Sequence, residues 1–362
     1  MAVAQQAVEG NMEGTFNRAM LEVARAARGF TQGELAKQAG VTQALISKLE
    51  NGLTTDPGED TVAALATALG YPETFFFSEE RPHGLPPFHY RKRARLRKKA
   101  LAKIEADINI RRIHLNRLLR SYEPQNDWDF PTIDLAQHQW TPRDAAQFLR
   151  GHWMVPRGPI DNVTALAERT GAIIVQLDFG TPLLDALSFR LPGMPPLIFM
   201  NSKMPGDRYR FTLSHEIAHL VLHYHPESDE EMEEQADEFA AEFLMPAREI
   251  KPYLVSPSLG KLARAKPYWK VSIKAMIVQC SRLKLITPRQ YTGLNVNYSK
   301  AGYGKGEPFP IEVEKSSALS KAVTFHLQSL GYSIEEIARL LMLEPDEFMD
   351  TYAERPKLRV IK

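Results

Sequence analysis

The chain has 362 residues, 44% of them hydrophobic and 25% charged, with a formal net charge of +1. That length supports two or three domains with cores of their own, and a single cysteine, Cys280, excludes an internal disulfide and any multi-cysteine zinc site. No apolar run approaches bilayer-spanning length, and the opening MAVAQQAVEGNMEG lacks the regions of a secretory leader, so a cytoplasmic protein with no membrane role is expected. The charge is unevenly spread: residues 1–80 carry 5 Lys/Arg against 11 Asp/Glu, whereas residues 81–120 carry 13 against 2. An acidic segment followed by a strongly basic one bears on partners more than the total does.

The first helical pattern runs from near Thr15 to Arg28, with Phe16, Met20, Leu21 and Ala24 at three-to-four spacing. Gly29 stops it. Thr31 then caps TQGELAKQAG, with Glu34 three residues on as a capping box. Gly40 ends that helix, Thr42 caps TQALISKLENG, and Asp60 is placed as the cap of a fourth helix, DTVAALATALG. Short helices around a glycine turn, with Leu35, Ala36, Val41, Ile46 and Leu49 facing inward, make a helix-turn-helix.

The stretch RGFTQGELAKQAGVTQALISKLENG resembles the Xre/phage-repressor family, over about Phe16 to Phe77. The resemblance implies a third helix in the major groove of an operator, read as a homodimer. Thr42, Gln43, Ala44 and Ser47 would then face base edges, with Gln43 suited to adenine and Ala44 to a thymine methyl. Gln32, Lys48 and Asn51 suit phosphates or neighbouring bases. The net negative charge of this segment departs from what DNA affinity needs. The alternative is a plain helical bundle with solvated polar side chains.

The missing positive charge follows at once. After the hinge RPHGLPPFHY, Arg91, Lys92, Arg93, Arg95, Arg97, Lys98 and Lys99 fall within nine residues. Leu101, Ile104, Ile108, Leu115 and Leu118 then step along a helix at near-heptad intervals. This reads as a phosphate-clamping arm leading into a dimer or packing helix, or as a solvated face of a connecting helix.

A second domain begins after SYEPQNDWDFPTIDLAQHQW. Thr141 caps a helix to Leu149, and Asp161 or Asn162 caps another to Arg169. AIIVQLDF, LDALSFRL and PPLIFM are expected as strands, followed by a helix from about Asp207. On that helix, His215-Glu216-Ile217-Ala218-His219 is an HExxH. Residues four apart share a helix face, so both imidazoles reach one ion. Two histidines leave zinc short of a tetrahedron, so a third protein ligand and a water are needed. Such an ion lowers the pKa of water to about 7. Glu216 is then placed to take the proton and pass it to a leaving amine. The expected cofactor is Zn2+, with Mn2+ the alternative.

Two positions compete for third ligand. His225 has metzincin spacing, but that family breaks the helix with glycine where this chain has Leu222. Glu233 is favoured: EEMEEQADEFAAEF puts Ala236, Phe239, Ala240 and Phe243 on an apolar face, with Glu233 and Asp237 at its inner edge and Glu234 and Glu238 outward. Asp237 would accept from an imidazole N–H, as metal-bound histidines require. The ExxxD spacing also resembles the gluzincins. An accidental HExxH without metal is the bland alternative.

RFTLSHEIAHLVLH followed by ADEFAAEFLMP resembles the ImmA/IrrE metallopeptidase family, from about Asp144 through KPYWKVSIKAMIVQCSRLKLITPRQY. The resemblance implies zinc-dependent cleavage of a protein, often a repressor, in stress-response, mobile-element or toxin–antitoxin circuits. It carries over His215, Glu216, His219 and, less directly, Glu233. His223 matches HLLLH-type relatives and is expected to support the ligands or to pack. A peptide substrate would add as a strand to the sheet edge. The alternative is a repressor or antitoxin-like protein whose zincin domain is structural or senses a ligand.

Beyond SKAGYGKGEP lie helical patterns at Val313–Leu330 and Ser333–Leu343; YSIEEIARLLMLEPDEFMDTY, with a Ser333/Glu336 capping box, resembles a helix-turn-helix again, but its second helix has no basic residues, so packing or dimerisation is expected of it rather than DNA reading. The expected class is α+β, mainly α. Four segments are expected: 1–80 as an Xre-type helix-turn-helix domain, 81–125 as a basic linker and connecting helix, 126–300 as the metallopeptidase domain, and 301–362 as a C-terminal helical domain.

Overall fold

The computed structural model describes residues 14–84, 97–124, 126–191, 193–223 and 229–352. These divide into two compact units, one formed by residues 14–84, 97–124 and 319–352 and the other by the described residues between 126 and 318. The helices from Leu319 onward belong to the first unit.

The first unit opens with α1 (Arg18–Ala27), α2 (Gln32–Ala39), α3 (Gln43–Glu50) and α4 (Glu59–Leu69). The first helix starts later than expected because Asn17 captures its end: its side-chain oxygen accepts from the Ala19 amide at 3.1 Å, and its amide donates to Ser78 O at 2.6 Å and Glu80 O at 3.0 Å. Thr31 and Glu34 form the capping box on α2, and Thr42 Oγ1 accepts from the Leu45 amide on α3. Asp60 is not the cap of α4. Gly58, at φ +77, begins that helix and leaves Asp60 in its first turn, where a carboxylate suits the positive helix end. A 3-10 turn, Glu73–Phe77, then closes on α1 with stacked Phe16 and Phe76. The connecting helix, α5 (Lys98–Leu119), follows.

The second unit begins with a single helical turn at Leu135–His138, then α6 (Pro142–His152) and α7 (Val163–Glu168). Thr141 and Asp144 make a capping box on α6, and Asn162 rather than Asp161 caps α7. Strands β1 (Ile173–Leu177), β2 (Ala186–Phe189) and β3 (Leu197–Asn201) form a sheet of order β1-β3-β2. β1 runs parallel to β3 and β2 antiparallel to it, with Ile174 opposite Ile198 and Leu187 opposite Phe199. The two long helices α8 (Gly206–Leu222) and α9 (Asp229–Leu244) come next, then α10 (Ala247–Leu254), α11 (Leu259–Trp269), α12 (Ile273–Arg282) and α13 (Pro288–Lys300). Ala236, Phe239 and Phe243 of α9 pack into one core with Leu213 and Ile217 of α8, Trp153 and the sheet. Small Ala236 and Ala240 let the two helices approach closely.

The chain then returns to the first unit. α14 (Ala318–Thr324) widens into a π turn over Phe325–Ser329 and is followed by α15 (Ile334–Leu340) and α16 (Pro345–Tyr352). Val323, Ile337, Leu341 and Phe348 enter the same buried cluster as Leu21, Leu35, Ile46 and Leu65. Arg28 of α1 pairs with Glu347 at 2.6 Å and stacks over Tyr71, while the Tyr352 hydroxyl meets His114 Nδ1 of α5 at 2.5 Å. Burial and the nearby Arg111 and Arg117 hold that imidazole well below its usual pKa, so it stays neutral.

Candidate metal centre and nucleic-acid interface

His215, Glu216 and His219 lie in the last two turns of α8, all buried. The Nε2 atoms of His215 and His219 are 3.0 Å apart. Glu233 reaches them from the second turn of α9, with Oε1 3.4 Å from His219 Nε2 and Oε2 3.6 Å from His215 Nε2. Among the described residues, one ligand atom from each of these three side chains falls within 4.8 Å of the others. His225 and Glu227 lie outside the described residues, and Glu238 is turned away onto Arg143 at 2.7 Å.

The other imidazole nitrogens are tied from behind. His215 Nδ1 is 2.9 Å from Asp237 Oδ1, one helical turn after Glu233. Burial alone would lower the His215 pKa, but the Asp237 and Glu233 carboxylates outweigh it and raise it to about 9. The site therefore favours positive charge between these groups. His219 Nδ1 is 2.8 Å from His223 Nδ1, and His223 Nε2 is 3.0 Å from Gln235 Oε1. The Gln235 amide nitrogen donates to Glu231 at 3.2 Å, which leaves its oxygen toward His223. His223 then donates through Nε2 and accepts through Nδ1. That order gives His219 a proton on Nδ1 and a lone pair on Nε2, directed at the site. Burial, with His219 alongside, lowers the His223 pKa to about 4, consistent with a neutral relay.

In the first unit, the exposed side chains Thr42, Gln43, Ala44, Lys48 and Asn51 share α3 and its ends with half-buried Ser47. Thr42 spends its hydroxyl on the cap, and the Asn51 amide donates to Ser47 O at 2.8 Å, so these two shape the helix ends. Gln32, at the start of α2, donates to Glu50 at 2.8 Å, and Glu50 also pairs with Arg25 at 2.5 Å. This ties the ends of α2 and α3 together through a carboxylate. Of the basic arm, Arg91, Lys92, Arg93 and Arg95 lie outside the described residues, while Arg97, Lys98 and Lys99 are exposed around the start of α5. Lys99 sits 3.4 Å from Glu34, so part of the arm offsets the acidic helix-turn-helix internally.

Residues 21–76 match the helix-turn-helix family model, and residues 167–281 match that of peptidase family M78, the IrrE N-terminal-like domain. The chain joins a helix-turn-helix to an M78-family domain. No curated protein matches it.

The M78 match spans β1 through α12 and so includes every side chain of the candidate centre. Their donor set fits a small divalent ion. With bonds of about 2.0–2.1 Å, a tetrahedral site has donor–donor edges of about 3.3 Å; the two Nε2 atoms here are 3.0 Å apart, and the Glu233 carboxylate faces them with Oε1 3.4 Å from His219 and Oε2 3.6 Å from His215. Backing of the imidazoles by Asp237 and His223 is what such ligands need to hold one tautomer. Two contributors are not among the residues that the sequence singles out: Gln235, which accepts from His223, and Ser188. Ser188, buried on β2, donates to Glu216 Oε2 at 2.6 Å and fixes the plane of that carboxylate. Its only local signal is a hydroxyl in an otherwise apolar strand, ALSF. Among the described residues no helix is long and apolar enough to cross a membrane.

Proposed function

We propose that the chain is an operator-bound transcriptional regulator whose M78-family domain is a zinc peptidase acting on a partner repressor, a toxin-like neighbour or the chain itself. The observation that carries this reading is the buried Glu216 carboxylate, which falls in sequence between the two histidines of the candidate centre and is oriented by Ser188. His215, His219 and Glu233 would hold the ion, which when bound acidifies water and polarises a peptide carbonyl. Glu216 accepts the proton of the attacking water and returns it to the leaving nitrogen. Asp237 and the His223–Gln235 pair keep the two imidazoles in their ligating tautomers. The substrate enters as an extended strand along β2, whose sole strand partner among the described residues is β3.

The helix-turn-helix supplies location. A peptidase tethered to an operator meets a neighbouring DNA-bound repressor at high effective concentration. Gln43 and Ala44, exposed on α3, read bases. Lys48, the arm Arg91–Lys99 and a second copy in a homodimer supply the phosphate contacts that the acidic first eighty residues lack. The place of action is the cytoplasm.

The test is to incubate the zinc-loaded full chain, and its Glu216→Gln variant, with the product of the neighbouring gene. Fragments from the wild type alone support the peptidase. If neither protein cuts the partner or itself while operator binding persists, the domain is a structural or ligand-sensing zincin on a repressor.

A further inference from the structure

A cavity of about 790 Å3 lies in the second unit, against the first two turns of α8 rather than the turns carrying His215 and His219. Helix α12 offers it Lys274, Ala275, Val278 and Arg282, a single stripe of that helix. Phe211 of α8 and Ala241 of α9 add apolar surface, and the irregular segment 303–313 supplies Tyr303, Ile311 and Val313.

That segment is a strap pinned at both ends. Glu307 accepts from Lys266 Nζ at 2.9 Å, from the Tyr298 hydroxyl at 3.0 Å and from the Ile273 amide at 2.7 Å. Glu314 accepts from the Val163 and Thr164 amides at 3.1 and 2.7 Å and pairs with buried Arg210. Between the pins the strap crosses the start of α8 so closely that a Cβ on Gly206 would lie 2.3 Å from Ile311 O. Past Glu314, the chain passes into the last segment of the first unit at Leu319.

We propose that this cavity, which borders the metal centre at Asp237, is a binding site for a small aromatic carboxylate. Its volume falls in the range of sites that enclose a small ligand. Five cationic side chains line it against three carboxylates. Lys266 pairs with both Asp207 at 2.7 Å and Glu307, which leaves one negative charge over, and Arg208 is neutralised by Asp185 at 2.6 Å. Lys274, Arg282 and Lys305 then stand against Asp237 and the carboxylate left over at Lys266, and the surplus positive charge favours an anion over a neutral or cationic guest. Tyr298 and Tyr303, in edge contact with centroids 5.7 Å apart, join Phe211 in favouring an aromatic body. The bound molecule bears on the strap, and through it on the covalent path from the second unit to the C-terminal helices of the first.

The probe is 2-naphthoate, titrated calorimetrically into the full chain, with 2-naphthalenemethanol as its neutral counterpart. One molecule binds per chain, and the alcohol binds at least tenfold more weakly. Val278→Trp, which fills the cavity, abolishes binding. Lys274→Ala weakens it by about tenfold, the loss expected when a charge-assisted contact is removed. Amide exchange over residues 303–313 slows on binding. Should Val278→Trp lose its circular dichroism signal, Ala275→Leu replaces it as the filling variant, with the same expectation. Equal binding of acid and alcohol, or undiminished binding to the filled variant, overturns the proposal. So does loss of binding on chelation of metal, because the carboxylate would then be sitting on the ion. None of these outcomes depends on whether the domain cleaves a protein.

Discussion

Phe348→Ala tests whether the last helices are part of the DNA-binding unit. The side chain is fully buried on α16, in the cluster that includes Leu21, Leu35, Ile46 and Leu65 of the helix-turn-helix. Removing a buried phenyl ring costs about 3–5 kcal/mol, combining lost transfer energy with the cavity left behind. Whole domains are stable by only about 5–15 kcal/mol, so about a fifth or more of the unit's stability is at stake. At about 2–4 °C per kcal/mol for a unit of this size, its melting point should fall by roughly 6–20 °C. The two units can be followed separately. All four tryptophans, at positions 128, 140, 153 and 269, lie in the second unit. Tryptophan fluorescence therefore reports the M78-family side, while amide exchange in α2 and α3 and operator binding report the other. The variant should lose exchange protection in α2 and α3, and lose operator binding at lower temperature, with the tryptophan transition unchanged. Unaltered protection in α2 and α3 would show that α14–α16 form a module of their own and that the shared core is wrong.

Three further outcomes follow from single contacts. Asp237→Asn keeps the shape beside His215 Nδ1 but removes the carboxylate, so zinc affinity should drop by about 10–100-fold, measured by competition with a chelator; unchanged affinity would remove Asp237 from the centre. Gln43→Ala should weaken binding to a cognate operator by about 1–3 kcal/mol and leave non-specific binding alone, measured by fluorescence anisotropy at fixed salt; no loss would mean that α3 is not the reading helix. Gly206→Ala forces a methyl group against the Ile311 carbonyl. It should destabilise the second unit by about 1–3 kcal/mol, seen as an earlier tryptophan transition, and an unshifted transition would contradict the close crossing of the strap.

Local chemistry was the part of this molecule most legible in the sequence. Thr31 with Glu34, Thr42, Thr141, Asn162 and Ser333 with Glu336 each mark a helix start within four residues, and their side chains make those caps. The i, i+4 spacing of His215 and His219 brought two Nε2 atoms together on one face, and the apolar stripe of α9 turned Glu233 and Asp237 toward them. Asp60 misled because a capping residue type competes poorly with a glycine already at positive φ two positions earlier. What the sequence hid was long range. Arg28 meets Glu347 across 319 residues, and Glu314 holds the start of α7 from about 150 residues away. Neither pair leaves a periodic trace. Ser188 was hidden for another reason: one hydroxyl in a buried strand has the same local pattern whether or not a carboxylate waits opposite.

In the proposed peptidase, two imidazoles and Glu233 hold one divalent ion beside a carboxylate that handles protons and binds no metal. Zinc titration of the metal-free full chain, run alongside His219→Ala and Glu216→Gln, tests this most directly. One ion per chain is predicted for the wild type and Glu216→Gln, with the tight site absent from His219→Ala. Failure of the wild type to take up zinc, or equal uptake by His219→Ala, would contradict the account.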